Sequence, residues 1–264
     1  QGFNFRAMIH SSGKAARIAR FPIEIVQADL LKDEQVRDAV NGCQIIVNLV
    51  RGGGLVDTKG LRNLLEAALK VGVKKVVHLS SVAVYGDDPP AGSENEDSQP
   101  DPGSNKYGRV KLQQEKIIDE YVKKGIKAII LRPPNITGPY SVYSLSVINK
   151  ILTGEMGIVD GGVNPCNTVH VYNLVEAILL ALTSERNKGE RYFITDDSDI
   201  TWRDFILAHA RLAGNEVQLR EIGSKELEKM EVDGLRGAAS ILGFLKFLGS
   251  GELRGLLADN SKLF

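Results

Sequence analysis

Three side chains in this sequence could together move a proton on and off an alcohol or carbonyl oxygen. Tyr107 and Lys111 are four residues apart, so on a helix they lie on one face about one turn from each other. An ammonium beside a phenol favours the phenolate, which lowers the pKa of the tyrosine and suits it to acid/base chemistry near neutral pH. Ser81 directly follows a predicted strand, from which its hydroxyl can reach the same oxygen. This combination predicts a Ser-Tyr-Lys site for proton transfer.

Short β-rich segments alternate with longer helical patterns, which predicts an α/β fold with a parallel sheet wrapped by helices. The predicted strands are 5–9, 23–26, 44–49, 75–79 and 127–131, and the most regular helices are 56–71 and 106–124. Open α/β sheets bind ligands at the carboxyl ends of their strands, where Ser81 is expected to lie. The segment 87–104 contains four prolines and six acidic residues and is predicted to form a loop that acts as a lid.

The composition excludes several classes of protein. In 264 residues, 33 Lys and Arg balance 33 Asp and Glu, so general nucleic-acid binding has no electrostatic support. Cys43 and Cys166 are far apart, which excludes a disulfide framework and a cysteine zinc site and predicts a reducing compartment. No signal peptide is recognised and no apolar run approaches the roughly 20 residues that span a bilayer. We therefore expect a cytoplasmic protein with a small-molecule substrate and no transmembrane segment.

Five segments occur in an order that is typical of one enzyme family. They are 27–30 (QADL), 79–86 (LSSVAVYG), 107–111 (YGRVK), 131–139 (LRPPNITGP) and 169–174 (VHVYNL). Together they resemble the extended short-chain dehydrogenase/reductase superfamily, also called the NAD-dependent epimerase/dehydratase family. The resemblance implies a Rossmann-type doubly wound parallel sheet with a smaller C-terminal substrate-binding part. It places an NAD(P)-binding domain at 1–140, and a mainly substrate-binding part with segments returning to that domain at 141–264.

The resemblance also implies a role for individual residues. Tyr107 would be the acid/base, Lys111 would hold the ribose and tune Tyr107, and Ser81 would bind the substrate oxygen. Val82 and Asn135 would line the substrate pocket. Positions implied to lie against NAD or NADP are Asp29, which would contact the adenine, together with Leu30, Leu49, Val50, Pro133, Pro134, Tyr107 and Lys111.

The choice between NAD and NADP is left open by the sequence. NAD-preferring members of the family usually end their second strand with an acid, whereas the matching strand here continues into 10–14 (HSSGK). A 2′-phosphate could be bound there by Ser11, Ser12, Lys14 or Arg17. A solvated basic helix is the alternative interpretation of Lys14 and Arg17.

Three departures from the family pattern restrict the function. The family's first strand, glycine-rich phosphate loop and helix have no counterpart in these residues, and the glycines at 52–54 follow a later strand, so they do not replace that loop. We therefore expect this sequence to lack the first βα unit of the family. Cys166 stands where sugar-nucleotide epimerases commonly carry an arginine, which weakens an epimerase assignment. Val82 and Ala83 follow Ser81 where 4,6-dehydratases place Asp-Glu, which argues against a dehydratase.

The resulting hypothesis is an NAD(P)-dependent oxidoreductase that transfers hydride at a secondary alcohol or ketone, with a sterol, a hydroxysteroid or another small molecule as substrate. One alternative is a nucleotide-sugar epimerase that uses the same three residues. An alternative from another class is a non-catalytic nucleotide-binding or regulatory protein, although such proteins usually lose the tyrosine or the lysine. The family resemblance further predicts a homodimer paired through the helices at 56–71 and 106–124.

Overall fold

The structure is a computed structural model that describes residues 3–87, 89, 95–196, 198–214 and 220–223, with only the backbone for Lys14 and Arg220. The chain divides into two compact units. The first comprises Gln1–Tyr143 and Asn167–Ser198, and the second comprises Ser144–Cys166 and Asp199–Phe264.

Ten strands and six α-helices lie in the described part of the chain. The strands are β1 (Arg6–Ile9), β2 (Glu24–Gln27), β3 (Ile45–Asn48), β4 (Lys75–Leu79), β5 (Ala128–Arg132), β6 (Asn135–Thr137), β7 (Gly157–Val159), β8 (Thr168–His170), β9 (Lys188–Phe193) and β10 (Arg220–Ile222). The helices are α1 (Asp33–Val40), α2 (Leu61–Val71), α3 (Lys106–Lys123), α4 (Val142–Leu152), α5 (Val171–Thr183) and α6 (Trp202–Leu212). A π-helical turn at Val56–Gly60 leads into α2, and 3₁₀ turns occupy Ser12–Arg17 and Val82–Tyr85.

The first unit is built on parallel strands, which confirms the predicted α/β class. Its largest sheet has the order β3-β4-β5-β9, and every neighbouring pair is parallel. Strand β5 is buried along its whole length and β4 along most of it, because helices cover both faces of the sheet. On one face Val76 and Ile130 pack with α1, α2 and α3, and on the other face Val77 packs with α5.

A second parallel pair, β1-β2, belongs to the same unit. Among the described strands β1 pairs only with β2, and β3 pairs only with β4. Met8 of β1 nevertheless packs on the same hydrophobic core as Ile46 of β3. The β1-β2 pair and the larger sheet therefore contribute side chains to one core without a strand-to-strand hydrogen bond between them among the described strands.

Helix α3 carries two of the predicted site residues, and local signals fix where it begins. The side chain of Asn105 accepts a 2.8 Å hydrogen bond from the backbone N–H of Gly108, which caps the amino end of the helix. Ile117 and Ile118 are buried in the core, so the register of α3 on the sheet is set by packing. The face that carries Lys111 is thereby directed toward the sheet.

The second unit contains most of α4, a parallel β7-β10 pair and α6. Thr201 and Asp204 form a capping box at the start of α6, with the Thr201 hydroxyl 3.2 Å from the Asp204 backbone N–H. Much of the predicted 141–264 part, namely 215–219 and 224–264, lies outside the described residues. In the portion that is described, no helix has the length and apolar character needed to cross a bilayer.

Candidate active site

Ser81 lies at the edge of the sheet formed by the carboxyl ends of the parallel strands. It follows β4 in extended conformation, and its Oγ accepts a 3.2 Å hydrogen bond from the backbone N–H of Ala83, which starts the 3₁₀ turn. The side chain is almost fully buried. A hydroxyl held in this way has little rotational freedom, so it can present a fixed hydrogen bond to an oxygen placed above it.

The structure brings the hydroxyls of Tyr107 and Ser81 together. A hydrogen bond with Ser81 is one of the interactions that lower the pKa of the Tyr107 phenol. Burial has a larger effect in the opposite direction, and the pKa of Tyr107 is raised overall. The phenol is therefore protonated at neutral pH, which makes it a proton donor in this state of the protein.

The ammonium of Lys111 lies over the ring of Tyr107. The same ammonium donates a 2.8 Å hydrogen bond to the carbonyl of Leu79 and is 5.9 Å from the centre of the Tyr107 ring. Burial lowers the pKa of Lys111 to about 8, with Asp57 and Glu115 opposing the shift. Lys111 is thus mainly charged at pH 7, and its protons that do not bond Leu79 can serve a ligand.

The cation that acts most strongly on Tyr107 is Arg51, which the sequence did not single out. Its guanidinium carbon is 4.9 Å from the centre of the Tyr107 ring, and its charge opposes burial by lowering the pKa of Tyr107. Sequence spacing predicted that Lys111 would have this effect. The difference arises because Arg51 follows β3, whereas Tyr107 lies in α3, far away in the sequence. No helical repeat relates the two residues, and only the packed fold brings their side chains together.

A buried ionic network lies next to the site and connects α3 to the sheet. Glu115 of α3 accepts hydrogen bonds from Arg132 Nε at 2.9 Å and from Arg132 Nη2 at 2.7 Å, and both side chains are 1% exposed. The Ser80 hydroxyl donates to the same carboxylate at 2.6 Å. Burial alone would raise the pKa of Glu115, but Arg132, Ser80 and Arg191 together outweigh burial and the pKa is lowered. The network ties α3 to β4 and β5, next to Ser81 and one helical turn from Lys111.

A second buried pair fixes the end of β3. Asn48 and His78 face each other across β3 and β4, with Asn48 Nδ2 3.0 Å from His78 Nδ1. Burial lowers the pKa of His78 to about 3, so the imidazole is neutral and accepts at Nδ1. Asn48 also accepts a 3.2 Å hydrogen bond from the Val50 backbone N–H, which sets the direction in which the chain leaves the strand toward Arg51.

The loop predicted as a lid is anchored on this same framework in its described part. The carbonyl of Glu96 accepts from Arg132, and the Glu96 carboxylate accepts a 2.9 Å hydrogen bond from the backbone N–H of Phe193. The Tyr85 hydroxyl lies 3.4 Å from the carbonyls of Asn95 and Ser98. Residues 88 and 90–94 lie outside the described residues, and a lid function stays a prediction.

The residues predicted to contact the cofactor are spread along the carboxyl ends of the parallel strands. Asp29 follows β2, is partly exposed and accepts a 2.9 Å hydrogen bond from the Leu31 backbone N–H, whereas the side chain of Leu30 is buried in the core. Leu49 follows β3 and is 56% exposed, which leaves an apolar surface open at this edge. The others are half-buried Val50, Pro134 and Ser11, buried Pro133, exposed Ser12 and Lys14, whose side chain is not described. Val82 and Asn135, the residues expected to line the substrate pocket, are half-buried.

The residues present suit parts of a dinucleotide. Asp29 has a carboxylate that can accept hydrogen bonds from hydroxyl or amino groups, and exposed Leu49 provides an apolar surface. Lys111 has N–H donors besides the one that bonds the Leu79 carbonyl. In the described ranges, β3 leads through the glycines at 52–54 into the π-helical turn that precedes α2. The backbone N–H of Gly52 is bonded to the Asp57 carboxylate at 3.1 Å, so it is already used within the protein. That these glycines do not replace the phosphate loop stays a prediction.

Gly108 is a further site residue that spacing did not identify. A Cβ at this position would overlap the carbonyl oxygen of Ala83 and would lie 3.0 Å from the Cβ of Pro102. We expect Gly108→Ala to push α3 away from the turn after Ser81, separating Tyr107 from Ser81. The variant should lose about 1–3 kcal/mol of unfolding free energy, as overpacked sites do, and most of any activity that depends on the two hydroxyls.

Gly223→Ala is the matched control for Gly108→Ala, since Gly223 is exposed and a Cβ there meets nothing within 4 Å. Urea denaturation and activity of both variants measure the effect. Equal stability and activity in the two variants would show that the close approach of α3 to Ala83 is not needed.

Comparison with known proteins places this geometry in context. A profile of the NAD dependent epimerase/dehydratase family matches residues 1–195. A 4-hydroxy-2-methyl-3-oxo-4-farnesyl-3,4-dihydroquinoline-1-oxide ketoreductase from Stigmatella aurantiaca is 27% identical over 78% of this chain and 65% of its own length. The N-acetyl-alpha-D-glucosaminyl-diphospho-ditrans,octacis-undecaprenol 4-epimerase of Escherichia coli O157:H7 is 31% identical over 71% of this chain and 60% of its own. The chain thus spans about three fifths of the length of such curated relatives.

Solved structures show the same fold at low sequence identity. The UDP-glucose 4-epimerase of Thermotoga maritima, solved with UDP-glucose, superimposes with a TM-score of 0.71 at 22% identity, covering 84% of this chain and 78% of that one. The UDP-glucuronic acid 4-epimerase of Bacillus cereus, in complex with NAD, gives 0.71 at 20% identity, covering 84% and 79%. These likenesses support the predicted Rossmann-type architecture.

Proposed function

Because the chain belongs to the NAD-dependent epimerase/dehydratase family, we propose that it acts as an NAD(P)-dependent oxidoreductase that interconverts a secondary alcohol and a ketone. The observation that carries this proposal is the contact between the Tyr107 and Ser81 hydroxyls near a charged lysine, at the carboxyl ends of parallel strands. Together these groups provide a proton donor and a hydrogen-bond donor for one oxygen atom, with a cation nearby.

In the direction of ketone reduction, each side chain has a defined task. Ser81 donates a hydrogen bond to the ketone oxygen and fixes its position. Tyr107 gives its proton to that oxygen as the carbon is reduced, and the raised pKa of Tyr107 keeps the phenol loaded with a proton at neutral pH. The phenolate that remains is stabilised by the charges of Arg51 and Lys111 until it regains a proton from solvent. In alcohol oxidation the same groups act in reverse.

NAD or NADP supplies the hydride chemistry when bound, and the residues that would hold it follow from their positions. Asp29 and Leu30 would lie against the adenosine, and Ser11, Ser12 and Lys14 against a 2′-phosphate. Leu49, Val50, Pro133 and Pro134 would line the path toward the nicotinamide, with Lys111 on its ribose. Val82 and Asn135 would contact the substrate beside Ser81.

A nucleotide-sugar epimerase is the second candidate, because a UDP-glucose 4-epimerase from Lacticaseibacillus casei is 28% identical over 61% of this chain. The same residues would then oxidise and re-reduce one carbon without net consumption of NADH. Sterol-type substrates stay within the first candidate, since a sterol demethylase protein B from Methylococcus capsulatus is 27% identical over 80% of this chain.

We also propose a cytoplasmic homodimer formed through α2 and α3. These helices lie side by side and are joined by ion pairs between Arg62 and Glu120 and between Lys124 and Glu66. Cys43 and Cys166 are both free thiols, as suits a reducing compartment.

Isotope transfer tests the proposed function directly. The full-length protein is incubated either with a panel of ketones and NADH or NADPH deuterated at C4, or with nucleotide sugars and NAD, and the products are analysed by mass spectrometry. We expect one deuterium on the new alcohol carbon and stoichiometric loss of the reduced cofactor. Sugar inversion without net cofactor loss would instead establish the epimerase, and absence of nucleotide binding at millimolar concentration would contradict both.

A further inference from the structure

Arg51 differs from other arginines near the sheet in how its charge is balanced. Arg132 pairs with buried Glu115, and Arg191 pairs with Glu115 and Asp119. Within the described ranges, no carboxylate forms an ion pair with Arg51, and its contact is with the face of Tyr107. Asp57, an acid of the same region, is 7% exposed and accepts a hydrogen bond from the backbone N–H of Gly52. Among the residues that the structure describes, the charge of Arg51 is therefore not paired with a carboxylate.

The surroundings of Arg51 leave room for a ligand. The residue is exposed, and the following three positions are glycines, which place no side chain beside it. The adjacent Leu49 is 56% exposed. Since Arg51 follows β3, its guanidinium stands at the same edge of the sheet as Ser81 and Tyr107. The other cation of the cluster, Lys111, is 5% exposed and turned to the Leu79 carbonyl.

Distance limits what such a cation can bind. With the guanidinium carbon 4.9 Å from the centre of the Tyr107 ring, one small molecule can bond Tyr107 through its reacting oxygen and Arg51 through a second group. Guanidinium presents five N–H donors in one plane and binds carboxylate or phosphate oxygens in pairs. If the group of the substrate next to Arg51 were neutral, the guanidinium would lose bound water to the substrate without gaining a negative charge in exchange, which is unfavourable.

We infer that Arg51 is a specificity-determining residue that binds an oxyanion of the substrate close to the reacting carbonyl. This inference rests on the proposed function, since it assigns the substrate class of the same site. The substrate class is then an oxo acid or its hydroxy acid. Phosphates of the cofactor present the same chemistry, and the experiment must separate the two sources.

Matched acids and esters isolate the charge. Binding of 3-oxo acids with four to twelve carbons, and of their methyl esters, is measured by calorimetry on the full-length protein with and without NADH. Each pair shares its ketone and differs in the negative charge. We expect at least one acid to bind the unmodified protein at least tenfold more tightly than its ester, and Arg51→Gln to remove that preference while the affinity for NADH changes less than threefold.

An arginine outside the site provides the control. Arg37→Gln removes an exposed arginine from α1, outside the site, and should retain the preference. Equal binding of every acid and ester by the unmodified protein would overturn the inference. So would a loss of NADH affinity in Arg51→Gln, because the guanidinium would then serve the cofactor's phosphates. Selective binding of an acid without its reduction would support the inference and contradict the proposed function.

Discussion

Replacing Tyr107 with phenylalanine should lower kcat for ketone reduction by about 1,000-fold, within the range typical for loss of a general acid. The ring and its contact with Arg51 are retained, and only the hydroxyl that meets Ser81 is removed. The reacting oxygen of the substrate then lacks the phenol that would give it a proton. Because the ring still fills its place, the affinity for NADH and the unfolding free energy should change little. Steady-state kinetics, nucleotide titration and urea denaturation measure the three quantities.

Tyr121→Phe is the matched control, because it removes the same atom from the same helix. Tyr121 is bonded to Glu66 at 2.7 Å, far along α3 from Ser81, so this variant should retain near-normal kcat. If both variants lost activity equally, the effect would come from α3 as a whole and not from the Tyr107 hydroxyl. If Tyr107→Phe kept more than a tenth of kcat, the phenol would not be the acid.

Replacing Arg132 with methionine should destabilise the protein by about 3 kcal/mol at pH 7, since it leaves a buried carboxylate without its main partner. Among the described residues, Glu115, which is 1% exposed, then keeps only Ser80 and the partly exposed Arg191. In the unmodified protein Arg132, helped by Ser80 and Arg191, outweighs burial and lowers the pKa of Glu115, so these contacts stabilise the fold above the carboxyl's ordinary pKa. Without Arg132, burial dominates and raises that pKa. The defect should therefore shrink at about pH 4.5, where Glu115 takes up a proton.

The double variant Glu115→Leu with Arg132→Met separates the charge from the packing. Removing both charges together should recover most of the loss, because no buried ion is left unpaired. Urea denaturation at pH 7 and pH 4.5 on the three proteins provides the comparison. A single variant as stable as the double variant at pH 7 would mean that Ser80 and Arg191 alone satisfy Glu115.

Local patterns in the sequence were sufficient for the architecture. Continuous apolar segments predicted the strands that became β3, β4 and β5, and helical spacing predicted α2 and α3 to within a few residues, except that 56–60 forms a π-helical turn. These signals are local because burial on both faces requires a run of apolar residues, and burial of one helix face requires a repeat of 3.6. The spacing of Tyr107 and Lys111 is likewise a property of one helix.

The sequence by itself therefore determined the α/β class, the family, and the one-helix pairing of Tyr107 with Lys111. The tertiary structure alone decided which charges act on that tyrosine. Arg51 comes from another strand end, Arg132 reaches Glu115 from β5, and Gly108 is required by the approach of Ala83. Each of these contacts joins residues that are distant in the chain and have no common repeat. Burial and distance set the electrostatics of a site, and both exist only once strands and helices have packed.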